Sequence, residues 1–205
     1  MSKLVNDLVR KGILRTSRAV DAFSEISRIE FVPEEFAMQA DEDIALPIGY
    51  GQTISQPSTV ALMIELLGTE EGDEILDVGS GSGWTMTLLA YIAGERGKVI
   101  GIERREALKK IGEHNVDKFK YIKDGRAQII LGDGSKGFPD KAPFNRILVS
   151  AAVEVIPEEL KKQLKIGGRM VIPVGGSIMR LKRKNEKEFS QEEYTGFSFV
   201  PLIIS

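Results

Sequence analysis

The spacing of hydrophobic positions changes along the chain and separates a helical beginning from a later alternation of strands and helices. Over residues 1–36, apolar side chains recur at helical spacing, which predicts two helices and a short third one starting at Pro33. A further helix is predicted over 58–67. Beyond it, the predicted strands are Glu74–Val78, Lys98–Ile102, Ala127–Leu131, Arg146–Val149 and Arg169–Val174, and the predicted helices are Trp84–Ala93, Glu106–Tyr121 and Pro157–Leu164.

Strands that alternate with helices of this length predict parallel crossovers, and therefore a doubly wound α/β sheet that is mostly parallel. Two extended runs near the end, Ser177–Lys184 and Gly196–Ile203, flank the polar stretch Asn185–Thr195. We expect them to form an antiparallel hairpin at one sheet edge, giving seven strands in all. We expect a single domain over 1–205, with a helical cap and active-site loop over 1–57 and an α/β core over 58–205.

Composition limits the classes of function. The 205 residues carry a net charge of −2, with no cysteine and a single histidine, His114. Disulfides, cysteine nucleophiles and thiolate metal sites are excluded, and we predict no metal. The charge gives no reason to expect nucleic-acid binding. No apolar run approaches the roughly 20 residues that a membrane helix needs, and the N-terminus lacks a signal-peptide core. We expect a cytoplasmic monomer.

A glycine-rich turn follows the first predicted strand. Gly79, Gly81 and Gly83 have the spacing G-x-G-x-G, which allows a tight turn and close approach of a ligand to a helix N-terminus. The dinucleotide fingerprint needs a small third residue where this chain has Trp84, so an NAD site is disfavoured. Glu103 ends the next strand, where an acid can reach a ribose diol. The candidate cofactor residues here are Gly79, Ser80, Gly81, Ser82, Gly83, Glu103, Arg104, Gly132, Asp133 and Gly134.

The stretch Leu46–Pro57, LPIGYGQTISQP, combines prolines and glycines with hydrogen-bonding side chains. The prolines and glycines argue against a regular helix or strand, so we predict a shaped loop. Gln52, Thr53, Ser55 and Gln56 are available within it to bind a ligand.

These motifs resemble a known family. DVGSGSGW, with Glu103 and Gly132–Gly134, resembles the class I methyltransferases that use S-adenosylmethionine. The loop LPIGYGQTISQP resembles the signature of the protein-L-isoaspartate O-methyltransferases, as do APFNRILVSAA, IPEELKKQLKIGGRMVIPVG and FVPL. The chain departs from the commoner family pattern at Asp77, where glutamate is usual, and at Trp84, where tyrosine is usual. It also stops soon after FVPL, which we expect to alter how the substrate is covered.

The resemblance implies S-adenosylmethionine as cofactor and S-adenosylhomocysteine as product. It implies that the partners are proteins and peptides containing L-isoaspartyl residues, whose free α-carboxylate is esterified for repair. It places Ser55 beside that carboxylate as the catalytic residue. We expect Thr53, Ile54, Ser55, Val200 and Pro201 to bind substrate, and Gln52 and Thr53 to contact the cofactor as well. The motifs offer no general base, which fits a nucleophile already ionised at pH 7.

Three alternatives stay open at this point. One is a class I methyltransferase acting on RNA or a small molecule, although Ser150-Ala151-Ala152 stands where amino-methylating enzymes usually carry an Asn/Asp-Pro-Pro motif. Another is a non-catalytic module that binds S-adenosylmethionine, and a third is an NAD enzyme. We interpret His114 as an exposed helix residue, and Trp84 and Phe144 as packing residues.

Overall fold

A computed structural model describes residues 1–204 of the chain. The helices are α1 (Lys3–Arg10), α2 (Ser17–Glu25), α3 (Pro57–Leu67), α4 (Trp84–Ala93), α5 (Glu106–Asp117) and α6 (Glu158–Lys162). The strands are β1 (Leu46–Gly49), β2 (Gln52–Ile54), β3 (Glu74–Val78), β4 (Lys98–Glu103), β5 (Ala127–Leu131), β6 (Phe144–Val149), β7 (Leu164–Val174), β8 (Ser177–Arg183) and β9 (Phe189–Thr195). Short 3-10 helices cover Arg28–Phe31, Glu34–Gln39, Gly134–Lys136 and Pro139–Lys141.

Seven of the strands form one sheet in the order β5-β4-β3-β6-β7-β8-β9. The pairs from β5 to β7 are parallel, and β7, β8 and β9 pair antiparallel. The predicted doubly wound fold with an antiparallel edge is therefore confirmed. The chain reverses its direction across the sheet between β3 and β6, and ligands in such sheets bind at the carboxyl ends of the strands near that point.

The edge hairpin differs from the prediction in its second strand. Phe189–Thr195 pairs with β8, whereas Gly196–Ile203 was the predicted run. The polar stretch pairs with β8 along its whole length, and Glu192 lies opposite Arg180 and forms an ion pair with it. The turn is short, and the Oδ1 atom of Asn185 closes it by accepting from the amides of Lys187 and Glu188.

Leu46–Pro57 is also more regular than predicted, since β1 and β2 form an antiparallel hairpin. Its tip is the sequence Gly49-Tyr50-Gly51, in which all three residues have positive φ values of 88°, 55° and 69°. Pro47 is tolerated because this two-stranded sheet offers edge positions that need no donor. Pro57 already begins α3, where its missing N–H costs nothing.

The N-terminal helices pack onto the α/β core as one hydrophobic cluster. Leu4 and Leu8 of α1, together with Phe23 of α2, belong to the same cluster as core residues of β3 and α4. The ring of Phe23 meets the ring of Trp84 edge to face, with centroids 5.5 Å apart.

Two helices end earlier than predicted. α5 ends at Asp117 rather than at Tyr121, and α6 ends at Lys162 rather than at Leu164, where β7 begins. Within residues 1–204, no helix combines the length and apolar character needed to cross a membrane.

Candidate active site

The glycine turn between β3 and α4 is packed against α5. Gly79, Gly81 and Gly83 have φ values of 83°, 50° and 86°. A Cβ on Gly83 would lie 3.0 Å from the carbonyl oxygen of Gly112 and 2.7 Å from a methyl group of Val116. The small residue that allows close packing of the turn is therefore Gly83 rather than the residue at position 84. Its contact on α5 is Gly112, which also has no side chain.

Glu103 fixes the turn from the end of the neighbouring strand. Its carboxylate is buried, and one oxygen accepts from the amide of Gly81 at 3.0 Å. The other oxygen accepts from the amide of Arg105 at 2.9 Å, at the start of α5. Each carboxylate oxygen can accept more than one hydrogen bond, so Glu103 can also accept hydrogen bonds from the hydroxyls of a ribose.

Asp77 lies beneath the turn on β3 and is completely buried. Neither carboxylate oxygen has a hydrogen-bond partner in the part of the chain that the structure describes. Burial, and secondarily the charge of Glu103, raises the pKa of Asp77 to about 7. An unpartnered buried carboxyl group under a ligand-binding turn fits a cationic ligand, because a nearby positive charge would favour its ionised form.

A cavity opens above the turn at the carboxyl ends of the strands. Most of the predicted site residues line it: Gln52, Thr53, Ile54, Ser55, Gly79, Ser80, Gly81, Ser82, Glu103, Arg104, Gly134, Val200 and Pro201. Gly83, Gly132 and Asp133 do not line it. Gly83 is used in packing, and the Asp133 carboxylate accepts from the amide and hydroxyl of Ser135 at 3.0 and 2.7 Å.

Sequence reasoning missed several residues of the cavity wall. Trp84 is buried as predicted, but it also lines the cavity. Ser150 and Ala151 follow β6 at the same edge of the sheet, and their strand-end position was the signal that could have identified them. The other missed residues are Ile48, Val78, Thr85, Ile102, Arg105, Leu108, Leu202 and Ile203.

A second groove adjoins the cavity and shares part of its lining. It is lined by Ala45, Thr53, Ser55, Gln56, Ser58, Thr59, Ser150 and the segment Gly196–Val200. None of these side chains is ionisable. Four residues line both the groove and the cavity: Thr53, Ser55, Ser150 and Val200. These four, which we call the junction, define where a molecule in the groove would meet a ligand in the cavity.

The C-terminal segment forms one wall of the junction. The carbonyl of Val200 accepts from the amide of Ala152 at 2.8 Å, and the amide of Leu202 donates to the carbonyl of Ala152 at 2.7 Å. Arg104 donates to the carbonyl of Ile203 at 3.0 Å. Val200 and Pro201 line the same cavity as Ser55, although they follow β9 rather than belonging to an edge strand.

The doubly wound sheet, the G-x-G-x-G turn, the strand-end Glu103 and the buried carboxyl group beneath the turn together define an S-adenosylmethionine-dependent methyltransferase of class I. The model of the family protein-L-isoaspartate(D-aspartate) O-methyltransferase (PCMT) matches residues 1–205. The chain belongs to this family.

Individual relatives agree with the family match. A protein-L-isoaspartate O-methyltransferase of Methanopyrus kandleri is 41% identical over 205 residues, covering 98% of this chain and 90% of the relative. A solved structure named protein-L-isoaspartate O-methyltransferase superposes with a TM-score of 0.86 at 28% identity, covering 97% of this chain and 64% of that one. A PCMT of Plasmodium falciparum, solved with S-adenosyl-L-homocysteine, has the same fold, with a TM-score of 0.87 at 24% identity and coverages of 98% and 96%.

Proposed function

We propose that this methyltransferase acts on the free α-carboxylate of L-isoaspartyl residues in damaged proteins and peptides, and that Ser55 is its catalytic residue. The observation that carries the proposal is the position of Ser55 at the junction between the cavity and the groove. The reaction is the one that the family name gives. The geometry supports placing the cofactor in the cavity and the peptide in the groove.

When bound, S-adenosylmethionine supplies a methyl group on a positively charged sulfur, and transfer to a carboxylate oxygen leaves a methyl ester and S-adenosylhomocysteine. A free carboxyl group with an ordinary pKa of about 3.5–4 is more than about 99% ionised at pH 7. The groove, which has no ionisable side chain, therefore need not provide a base. Its task is to hold the attacking carboxylate oxygen in line with the bond from the sulfur to the methyl group. Positioning of this kind can lower the activation barrier of a reaction by up to about 7–11 kcal/mol.

Ser55 is half-buried, and its hydroxyl can donate to one carboxylate oxygen while the other oxygen attacks. Thr53 and Ile54 precede it on β2, and Val200 and Pro201 line the same cavity, so we assign an extended peptide to the space between these two segments. In the cavity we assign the ribose to Glu103 and the rest of the cofactor to Gln52, Thr53, Arg104, Gly134 and the turn. Asp77 would stabilise the positive charge through the floor of the cavity. Gly132 and Asp133, which do not line the cavity, are the weaker members of the predicted set.

The decisive experiment uses two peptides that differ only in an isoaspartyl or an aspartyl residue. With labelled S-adenosylmethionine, we expect methyl incorporation into the isoaspartyl peptide and little into its partner. In the isoaspartyl residue the main chain continues through the β-carbonyl and leaves the α-carboxylate free, whereas in the aspartyl residue the α-carbonyl forms the peptide bond. An absence of incorporation into the isoaspartyl peptide would refute the proposed function.

Ser55→Ala tests the catalytic assignment. We expect kcat for the isoaspartyl peptide to fall about 100-fold, because a misplacement of about 1 Å at the reacting atoms has that effect. The affinity for S-adenosylhomocysteine, measured by calorimetry, should change less than about threefold, since the turn and Glu103 are untouched. Ser24→Ala on α2, whose hydroxyl bonds the carbonyl of Val20, is the matched control and should leave both values unchanged. If Ser55→Ala loses kcat and cofactor affinity to the same extent, Ser55 has a structural role rather than a catalytic one.

We propose further that residues 1–205 act as one domain and as a cytoplasmic monomer without a nucleic-acid partner. The single hydrophobic cluster shared by 1–57 and 58–205 supports the first point, and the net charge of −2 supports the last. Light scattering at a mass other than 22.6 kDa would contradict the monomer.

A further inference from the structure

We propose that Arg28 is a positioning residue that holds the main chain of Ser55 and the cavity wall at Trp84 in one fixed arrangement. The inference rests on the proposed role of Ser55. No sequence motif suggested it, because Arg28 lies in a short 3-10 helix of the N-terminal cap, outside every stretch that carries the family signature.

Arg28 is only 2% exposed, and its guanidinium group donates to main-chain carbonyls on both sides of the β1–β2 hairpin. One terminal nitrogen bonds the carbonyls of Ala40 at 3.0 Å and Glu42 at 3.3 Å. The other bonds the carbonyl of Ile44 at 2.8 Å, just before β1, and that of Ser55 at 3.1 Å, just after β2. A single side chain therefore joins the two ends of the hairpin at the residue that we assign to catalysis.

The same guanidinium group contacts the cavity wall. Its central carbon lies 5.4 Å from the centre of the Trp84 ring, and Trp84 lines the cavity. A planar cation over an indole ring is a favourable contact, especially when water is excluded. Arg28 thus touches both the main chain of the proposed catalytic residue and the ring that borders the cofactor space.

The charge of Arg28 is held by carbonyl oxygens rather than by an ion pair. Burial lowers the pKa of Arg28 to about 10, while the nearby charges of Asp43 and Asp41 act in the opposite direction. Asp43 is used elsewhere, since it accepts from the amide of Ser58 at 2.8 Å in the first turn of α3. A lysine would keep the positive charge but could not reach the same carbonyls with two planar nitrogens. The forked shape, and not the charge alone, is what connects the two ends of the hairpin.

The test compares Arg28→Lys and Arg28→Gln with Arg146→Lys. Arg146 is a matched control because it is also buried, and it bonds the carbonyl of Gly68 at 2.9 Å at the opposite end of the sheet. For both Arg28 variants we expect kcat for the isoaspartyl peptide to fall about 10- to 100-fold, with the affinity for S-adenosylhomocysteine within about threefold of wild type. Arg146→Lys should lose stability but keep its kcat within about threefold at temperatures where it is folded.

Trp84 gives a second readout, because it is the only tryptophan in the chain. Its fluorescence should shift to longer wavelength in both Arg28 variants and stay unchanged in Arg146→Lys. The proposal is overturned if kcat of a folded Arg28 variant stays within threefold of wild type, if Arg146→Lys loses as much kcat, or if the Trp84 emission does not move. Arg28 variants that fail to fold even with saturating S-adenosylhomocysteine would assign the residue to the fold alone. Inactivity of the wild-type chain on the isoaspartyl peptide is a separate result and refutes the proposed function instead.

Discussion

Gly83→Ala is expected to lower the free energy of unfolding by about 2–5 kcal/mol and to abolish measurable binding of S-adenosylhomocysteine. The backbone at Gly83 has a φ of 86°, which costs a residue with a Cβ about 1–2 kcal/mol. The new methyl group would also lie 3.0 Å from the Gly112 carbonyl and 2.7 Å from Val116, and overpacking of this kind typically costs about 1–3 kcal/mol. Relief of the contact would push α4 away from α5 and displace the turn.

Gly12→Ala is the control for the free-energy cost of placing a residue with a Cβ at a positive φ. Gly12 also has a positive φ, 67°, but a Cβ there would meet no atom within 4 Å. Urea denaturation should therefore show a loss of only about 1–2 kcal/mol in Gly12→Ala, and calorimetry should show unchanged cofactor affinity. If the two variants lose equal stability, the contact between the glycine turn and α5 does not constrain the site.

Asp77→Asn is expected to stabilise the ligand-free protein at pH 8. The folded state holds the Asp77 carboxyl with a pKa of about 7, well above the ordinary value of 3.8. Between these values the unfolded chain has lost a proton that the folded chain keeps, so wild-type stability is lost as the pH rises from about 4 to about 7. The advantage of the asparagine variant over wild type should therefore grow by about 3 kcal/mol between pH 5 and pH 8.

Denaturant titrations of both proteins at the two pH values measure this difference directly. Asp140→Asn, at an exposed site in a short 3-10 helix, serves as the control for replacing an aspartate by asparagine at the surface. An Asp77→Asn advantage that is the same at pH 5 and pH 8 would mean that the carboxyl group is already ionised in the folded protein. That result would contradict the raised pKa of Asp77 in the folded protein.

The fold was largely predictable because local patterns and tertiary structure agree in the core. The strands Glu74–Val78 and Ala127–Leu131 and the helix Trp84–Ala93 were predicted with the bounds that the structure gives them. The prediction was wrong where partners far along the chain decide the conformation. Phe189–Thr195 has the polar composition of a turn, and it becomes a strand because β8 supplies its hydrogen-bond partners and one opposing charge, Arg180.

The site was predictable to the extent that its residues lie in contiguous motifs. Ser55, Glu103, Gly79 and Gly81 were predicted from short sequence patterns, and all four line the cavity. The contacts of Arg28 could not be predicted, because they are made to carbonyl groups that carry no side-chain signature and that only the folded hairpin brings together. Ser150 follows the predicted strand Arg146–Val149, so its strand-end position was predictable, but its place at the junction depends on β6 lying next to β3, which the sequence alone did not show.

The groove without ionisable side chains has a consequence for which damaged proteins are repaired first. With no charge to attract particular neighbouring residues, the enzyme has little means of choosing among client sequences. Under the proposed role of Ser55, access then depends on the client, since its damaged segment has to detach from its own fold and lie extended in the groove. Repair rates across different clients should accordingly fall as the free energy of local opening around the damaged residue rises. Damaged residues in tightly folded segments should be methylated most slowly.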